Sequence, residues 1–201
     1  MEIFTLLTLI AIGAYVLKSR DQKRRIALLA SHLERYQIDK LMESLTVGYA
    51  RALREPSPER QTQVWNLLNI TEAELREQFS RFVTGFAQVE EADARVSLLP
   101  VAIPYADKLF PRATFDFRKA LAIHANGIRA IENIDYPQTP KDKAFILSAE
   151  MMLMRHTCHW FCRSKFVASA RMLSQHKTSY DQLLAAVSPD TRKAYQALMA
   201  P

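Results

Sequence analysis

The reactive side chains of this chain concentrate in one short run, His156-Thr157-Cys158-His159-Trp160-Phe161-Cys162. Thiolate and imidazole are the ligands that zinc and haem iron take, and a thiolate is also a nucleophile and a redox centre. On a helix Cys158 and Cys162 share a face at i,i+4, with His159 three residues before Cys162. His156 lies about 160° round the helix from Cys158, so one helix does not easily offer all four groups to one ion. Cys158, His159 and Cys162 are therefore the candidate metal ligands, with His156 a weaker fourth. A structural zinc site takes four ligands. The missing one would come from His124, His32 or a carboxylate on another helix. The C-x-x-C-H attachment motif of c-type haem is absent. Two further chemistries fit the same residues. The two thiols could form a redox-sensing pair, or Cys158 could be a nucleophile activated by a histidine. A mid-helix nucleophile lacks the backbone donors of an oxyanion hole, which weighs against an enzyme. The plainest role is packing, since cysteine is among the most buried residue types. No resident cofactor is expected on this reading, with zinc or haem as the alternative. No G-x-S-x-G, H-E-x-x-H or P-loop pattern occurs in the chain.

The elements around this cluster begin with a hydrophobic segment. Residues 3–17 hold no charge, and Lys18, Arg20, Lys23, Arg24 and Arg25 follow within eight positions. A helix of that length spans roughly 22 Å, short of the hydrocarbon core of a bilayer unless basic side chains snorkel at its end. A cleaved signal peptide puts its basic residues before the apolar run and a small-residue site after it. Here the order is reversed. The expectation is a single-pass anchor over residues 1–18 with its N-terminus outside and its basic flank in the cytoplasm. The five cations form the lipid-proximal set, each worth about 1 kcal/mol against an anionic leaflet. The expected location is a bacterial-type inner membrane.

The formal charge of +6 resembles a nucleic-acid signature until it is divided along the chain. Residues 1–25 carry +3, residues 26–154 carry −2 and residues 155–201 carry +5. The first block is explained by lipid. The last leaves a weak nucleic-acid reading through Arg163, Lys165, Arg171 and Lys177, for which water is the simpler partner. Only two cysteines are present, which agrees with a reducing compartment and excludes a disulfide framework.

Four glycines among 201 residues are too few for a sheet protein, and the prolines fall in clusters between helical patterns. Residues 19–54 read as a basic juxtamembrane segment and one helical stalk, and residues 55–201 as an all-helical bundle. Within it, Pro58 behind Ser57 starts a short helix. A capping box at Thr71–Glu74 then opens a longer one with the seam Leu75, Phe79, Phe82, Phe86 and Val89. Residues 98–111, with three prolines, form an apolar connector that lies on the bundle or dips toward lipid. A helix over residues 113–133 carries Phe117, Leu121, His124, Ile128 and Ile131. A loop tip at 133–140 precedes a helix capped by Thr139 and Pro140, apolar nearly all round and therefore central, running to about residue 175. Ser179 and Ser188 start two last short helices.

The expected protein is all-α: a single-pass anchor continuing into a cytoplasmic bundle of five to seven helices. The function expected is a membrane-tethered interaction or scaffold module, with a protein partner or a second copy of itself. The alternative is a metal or redox sensor built on Cys158, His159 and Cys162.

Overall fold

The computed structural model describes residues 2–131 and 139–200, and among these the fold is all-α. Helix α1 spans Glu2–Leu33, α2 Ile38–Arg54, α3 Pro58–Phe86, and a single turn, α4, Glu91–Ala94. Strand β1 (Arg95–Ser97) pairs antiparallel with β2 (Thr114–Asp116), and the connection between them holds a second single turn, α5 (Ala106–Leu109), and a 3-10 turn at Pro111–Ala113. Then come α6 (Phe117–Ala130), α7 (Pro140–Cys162), α8 (Lys165–His176), α9 (Tyr180–Ala186) and α10 (Pro189–Met199). The expected loop tip at 133–140 lies outside the described residues up to Gln138.

Among the described residues the helices number ten rather than the five to seven expected of the bundle: two arise from breaks without proline or glycine, at 34–37 and 163–164, and α4 and α5 are single turns. The stalk is not one helix. It turns between Leu33 and Ile38, where the Gln78 side chain accepts the Gln37 N–H at 2.7 Å and Tyr36 sets its ring edge-on to Phe82. Those contacts replace the helical bonds that are given up, and they let α1 and α2 each pack on α3. The helix expected to run to residue 175 stops at Cys162. Ser164 re-caps the chain by accepting the Val167 N–H, and the Pro100 carbonyl accepts that of Phe166. Conversely, the capping box at Thr71 is not used, and α3 runs unbroken through it. Leu68, Glu72, Leu75 and Phe79 form one buried stripe, so burial holds the helix across the cap signal. The helix expected from residue 113 begins only at Phe117, where Asp116 accepts the Arg118 N–H at 2.9 Å. Residues 114–116 are strand instead.

The caps at Ser57, Thr139, Ser179 and Ser188 form as the sequence predicts, the third as a full capping box with Gln182. The α3 seam is wholly buried. Its Phe86 meets Phe117 edge-on at 5.3 Å, and Phe117 stacks on Phe161 at 4.3 Å, so α3, α6 and α7 share one aromatic centre. Helix α7 is the hub, in contact with α1, α2, α6, α8 and α9.

Helix α1 divides in two. Its large apolar side chains from Ile3 to Leu17 are all exposed, whereas Arg25 and Leu29 are buried in the bundle. Among the described residues it is the one helix long and apolar enough to cross a membrane. Arg25 holds the joint. Its guanidinium pairs with Asp21 at 2.9 Å, donates to the Arg95 carbonyl at 2.9 Å, and lies 5.3 Å above the Phe161 ring.

Gly127 sits where α6 crosses the α10 start. A Cβ there would come within 2.3 Å of Thr191 Oγ1 and 2.6 Å of Glu150 Oε2. Gly127→Ala should lower stability by about 1–3 kcal/mol despite its better helix propensity, because both side chains are buried and Thr191 Oγ1 is held by the Ser188 hydroxyl. Thermal unfolding of the two proteins checks this; an unchanged or raised midpoint would contradict the packing described.

Candidate functional site

The run from His156 to Cys162 forms the last two turns of α7, and its members have different surroundings. Cys158 and Cys162 do share a face, both partly buried against the main core as free thiols. Cys158 Sγ lies 3.9 Å from Met154 Sδ, a thioether contact of ordinary core character. Burial pushes the Cys158 thiol far up and that of Cys162 up to about 11, so both are protonated at neutral pH. His159 is half-buried, and burial, then Arg171 and Arg155, lower its pKa. His156 is fully buried on another side, with Nε2 3.0 Å from Ser169 Oγ and its ring 5.0 Å from that of Tyr180. Burial first, and Lys165 second, depress it to about 4.

The groups that could complete a zinc set are engaged elsewhere. His32 Nδ1 lies 2.9 Å from the Leu28 carbonyl, with its ring edge-on to Phe86. His124 is in the polar seam described below. Among the described residues, no three His, Cys, Asp or Glu side chains converge as a metal ligand set. Glu150 partners neither α7 histidine.

The cations proposed for lipid and for nucleic acid are also placed. Lys18, Arg20 and Lys23 are exposed. Arg24 pairs with Asp93 at 2.8 Å, while Arg25 is buried in the joint. Arg163 donates to Gln22 at 2.9 Å. Lys165 Nζ lies 5.2 Å and 4.9 Å from the ring centres of Trp160 and Tyr180. Arg171 bonds Gln175, and Lys177 ends α8 in a left-handed conformation with φ of 55°.

The more developed polar arrangement lies deeper, between α6, α7, α9 and α10. Thr157 is its hub. Its hydroxyl donates to the Leu153 carbonyl at 2.9 Å, and His124 Nε2 at 2.9 Å and Tyr195 OH at 2.8 Å close on the same oxygen. One hydroxyl has one proton to give. With that proton on Leu153, His124 must donate, which makes it the Nε2–H tautomer. Its Nδ1 is buried without a partner, as is His156 Nδ1. Burial is the main cause that holds His124 at about 3. One helical repeat away, Glu150 Oε1 accepts the Ser188 N–H at 3.1 Å beside Thr191, and burial raises its pKa. A third buried group joins α2, α3 and α7: Tyr49 donates to Glu72 at 2.7 Å, and Lys143 pairs with Glu72 at 2.5 Å.

Chemically, the seam holds His124, Thr157 and Tyr195 in place as neutral groups. A proton relay needs groups that titrate near neutrality; these histidines are driven acidic and these tyrosines alkaline. One faint signal of it is present in the residue spacing. Glu150 and Thr157 are seven residues apart on a helix otherwise apolar nearly all round, which puts two polar groups on one buried stripe. Their partners, His124, Ser188 and Tyr195, are too far away in the chain for spacing to reveal them.

The cleft nearest the cluster is shallow, lined by Asp21, Arg25, residues 101–103, Trp160 and Arg163. It lies at the joint between α1 and the bundle.

Two outcomes follow. The thiols should react with a disulfide reagent at pH 7.5 far more slowly in the native protein than after denaturation, since thiolate is the reacting form; equal rates would contradict their burial. The histidines also make stability depend on pH. Folded pKa values of about 3 for His124 and about 4 for His156 lie below the ordinary value of 6.5, so the unfolded chain takes up protons first as pH falls. Stability is full above pH 6.5 and should fall by about 2 kcal/mol per histidine by pH 5. Glu150 acts oppositely, losing stability as pH rises above its usual carboxylate range, so denaturant titrations in Glu150→Gln isolate the histidine slope. A flat profile from pH 7 to 5 in that variant would contradict neutral burial.

No protein-family model, curated protein or solved structure matches this chain.

Proposed function

We propose that this protein is a membrane-tethered interaction module, anchored by α1 and presenting its helical bundle to partners on the cytoplasmic side. The observation that carries the reading is the division of α1. Fifteen consecutive positions that hold no charge make no packing with the bundle, and the same helix is clamped into it from Arg25 onward. A soluble protein would leave that apolar surface in water at a cost of roughly 25 cal/mol per Å². A lipid environment removes the cost, and the exposed Lys18 and Arg20 then stand at its edge. The charge order, apolar run first and cations after it, supports a cytoplasmic side for the bundle.

Contacts along α7 give the bundle a direction. Phe161, near its end, lies under Arg25 of α1, whereas Lys143, near its start, meets Asn69 and Glu72 of α3. Val47, Leu53, Leu67, Ile70 and Phe145 are exposed toward that far end. Apolar groups displayed away from the anchor suit protein docking better than lipid. The sensor alternative has less support, because burial keeps both thiols protonated and, among the described residues, no ligand set gathers around them.

The tether is tested by charge placed in its middle. Leu9→Arg with Ile12→Arg costs about 2.5–3.5 kcal/mol per residue on insertion. The wild-type chain should stay with membranes through alkaline carbonate, and the double variant should be released. In inverted vesicles, trypsin should reach the bundle; in right-side-out vesicles it should not. Release of the wild type by carbonate, or digestion in right-side-out vesicles, would contradict the reading. In detergent the protein should sediment as a complex with a partner or with itself, and a monodisperse monomer would count against an interaction role.

A further inference from the structure

The connection between β1 and β2 is unusually apolar for an exposed segment. Val101, Tyr105, Leu109 and Phe110 are 49–62% exposed, and among the described residues no helix covers them. Phe166, at the start of α8, is 67% exposed. Its backbone N–H is tied to the Pro100 carbonyl at 3.0 Å, so the two apolar groups belong to one end of the bundle. Tyr105 takes a left-handed backbone conformation, with φ of 57°. Such a conformation costs about 1–3 kcal/mol in a residue other than glycine, which marks the segment as held in an unfavourable local shape.

This end is the one that α1 enters. Residues 101–103 line the same cleft as Asp21 and Arg25 of α1 and Arg163 after α7, and Arg163 bonds Gln22. Asp21 lies only four residues, about 6 Å along the helix, beyond the last residue of the uncharged run. A bilayer that takes up residues 3–17 therefore has its headgroup layer beside this connection. The exposed cations Lys108 and Arg112 lie in the same segment, and Lys108 Nζ is 5.7 Å from the Tyr105 ring. Aromatic and aliphatic side chains interleaved with cations are the composition of an interfacial membrane contact.

We infer that the β1–β2 connection, together with Phe166, is a second membrane contact that seats the bundle on the surface of the bilayer anchoring α1. The inference rests on the tether reading and adds to it: the bundle lies against the membrane rather than standing off on a stalk. The recognised chemistry is the headgroup and upper acyl region of anionic phospholipid. Two contacts, one spanning and one interfacial, fix the rotation of the bundle about α1. That rotation decides which of its faces a partner in the cytoplasm meets.

The experiment uses the full chain in vesicles of phosphatidylcholine with phosphatidylglycerol, some with acyl chains brominated near the headgroup. Leu109→Trp and Phe166→Trp report the proposed contact, and Leu67→Trp at the far end is the control. Emission added by the first two should be blue-shifted and lost in brominated vesicles, while that of the control should be unaffected. Leu109→Glu with Phe110→Glu, made in the Phe166→Trp chain, should abolish the quenching while the protein stays resistant to carbonate. Carbonate-resistant protein whose Leu109→Trp and Phe166→Trp emission is unquenched overturns the inference and leaves the tether standing. Quenching in protein that carbonate releases supports the contact and overturns the tether. A blue shift that grows with protein-to-lipid ratio and is not quenched shows that a second copy covers the face, and overturns the lipid assignment.

Discussion

Arg25 is the residue on which the architecture turns. A guanidinium almost withdrawn from water must be fully partnered or its desolvation is ruinous. Here it has a carboxylate one helical turn back, a backbone carbonyl from the strand edge, and an aromatic face beneath it. Each partner belongs to a different part of the fold: α1 itself, β1, and α7. Removing the charge would leave Asp21 only the longer pair with Arg24, at 3.6 Å, and would take this donor from the Arg95 carbonyl. The joint thus links the exposed apolar half of α1 directly to the half that packs in the bundle.

The rest of the interior follows a similar logic. Its polar groups sit where helices of distant sequence must be kept in register: Thr157 with His124 and Tyr195, Glu150 with Ser188, Glu72 with Tyr49 and Lys143. Burying such groups costs more than an apolar replacement would, unless every partner is present. A packing in which α10 slid along α6 and α7 would break several of these bonds at once. Gly127 enforces the same register sterically, since Thr191 and Glu150 occupy the space a side chain would need. The seam is therefore best understood as a specificity device of the fold, and the Cys158–Cys162 face as part of its apolar packing.

Much of this was legible in the sequence. The all-α class followed from the four glycines and the clustered prolines. Helix starts at Ser57, Thr139, Ser179 and Ser188 were readable because a cap acts over three residues and needs no distant partner. The seam from Leu75 to Val89 was readable because its spacing is local. What escaped was whatever depended on a partner far along the chain. The turn at residues 34–37 exists because Gln78 and Phe82 are there to receive it. The hairpin of β1 and β2 pairs residues about twenty apart, and three-residue strands have too little alternation to announce themselves. Thr71 shows the reverse failure, a good local signal overruled by a buried stripe that runs through it. In the cluster, the i,i+4 spacing does put the two thiols on one face of α7. Only burial, which spacing does not encode, distinguishes inert cysteines from reactive ones.

Helix α1 is one uninterrupted helix whose exposed apolar start passes into the bundle without a break. Backbone hydrogen exchange of the full chain in lipid nanodiscs addresses this residue by residue. Slow exchange that continues from residue 3 through residue 33, with no fast stretch at 18–24, is the predicted result. Rapid exchange across 18–24, with protected segments on either side, would show a flexible link at the joint and contradict the rigid tether.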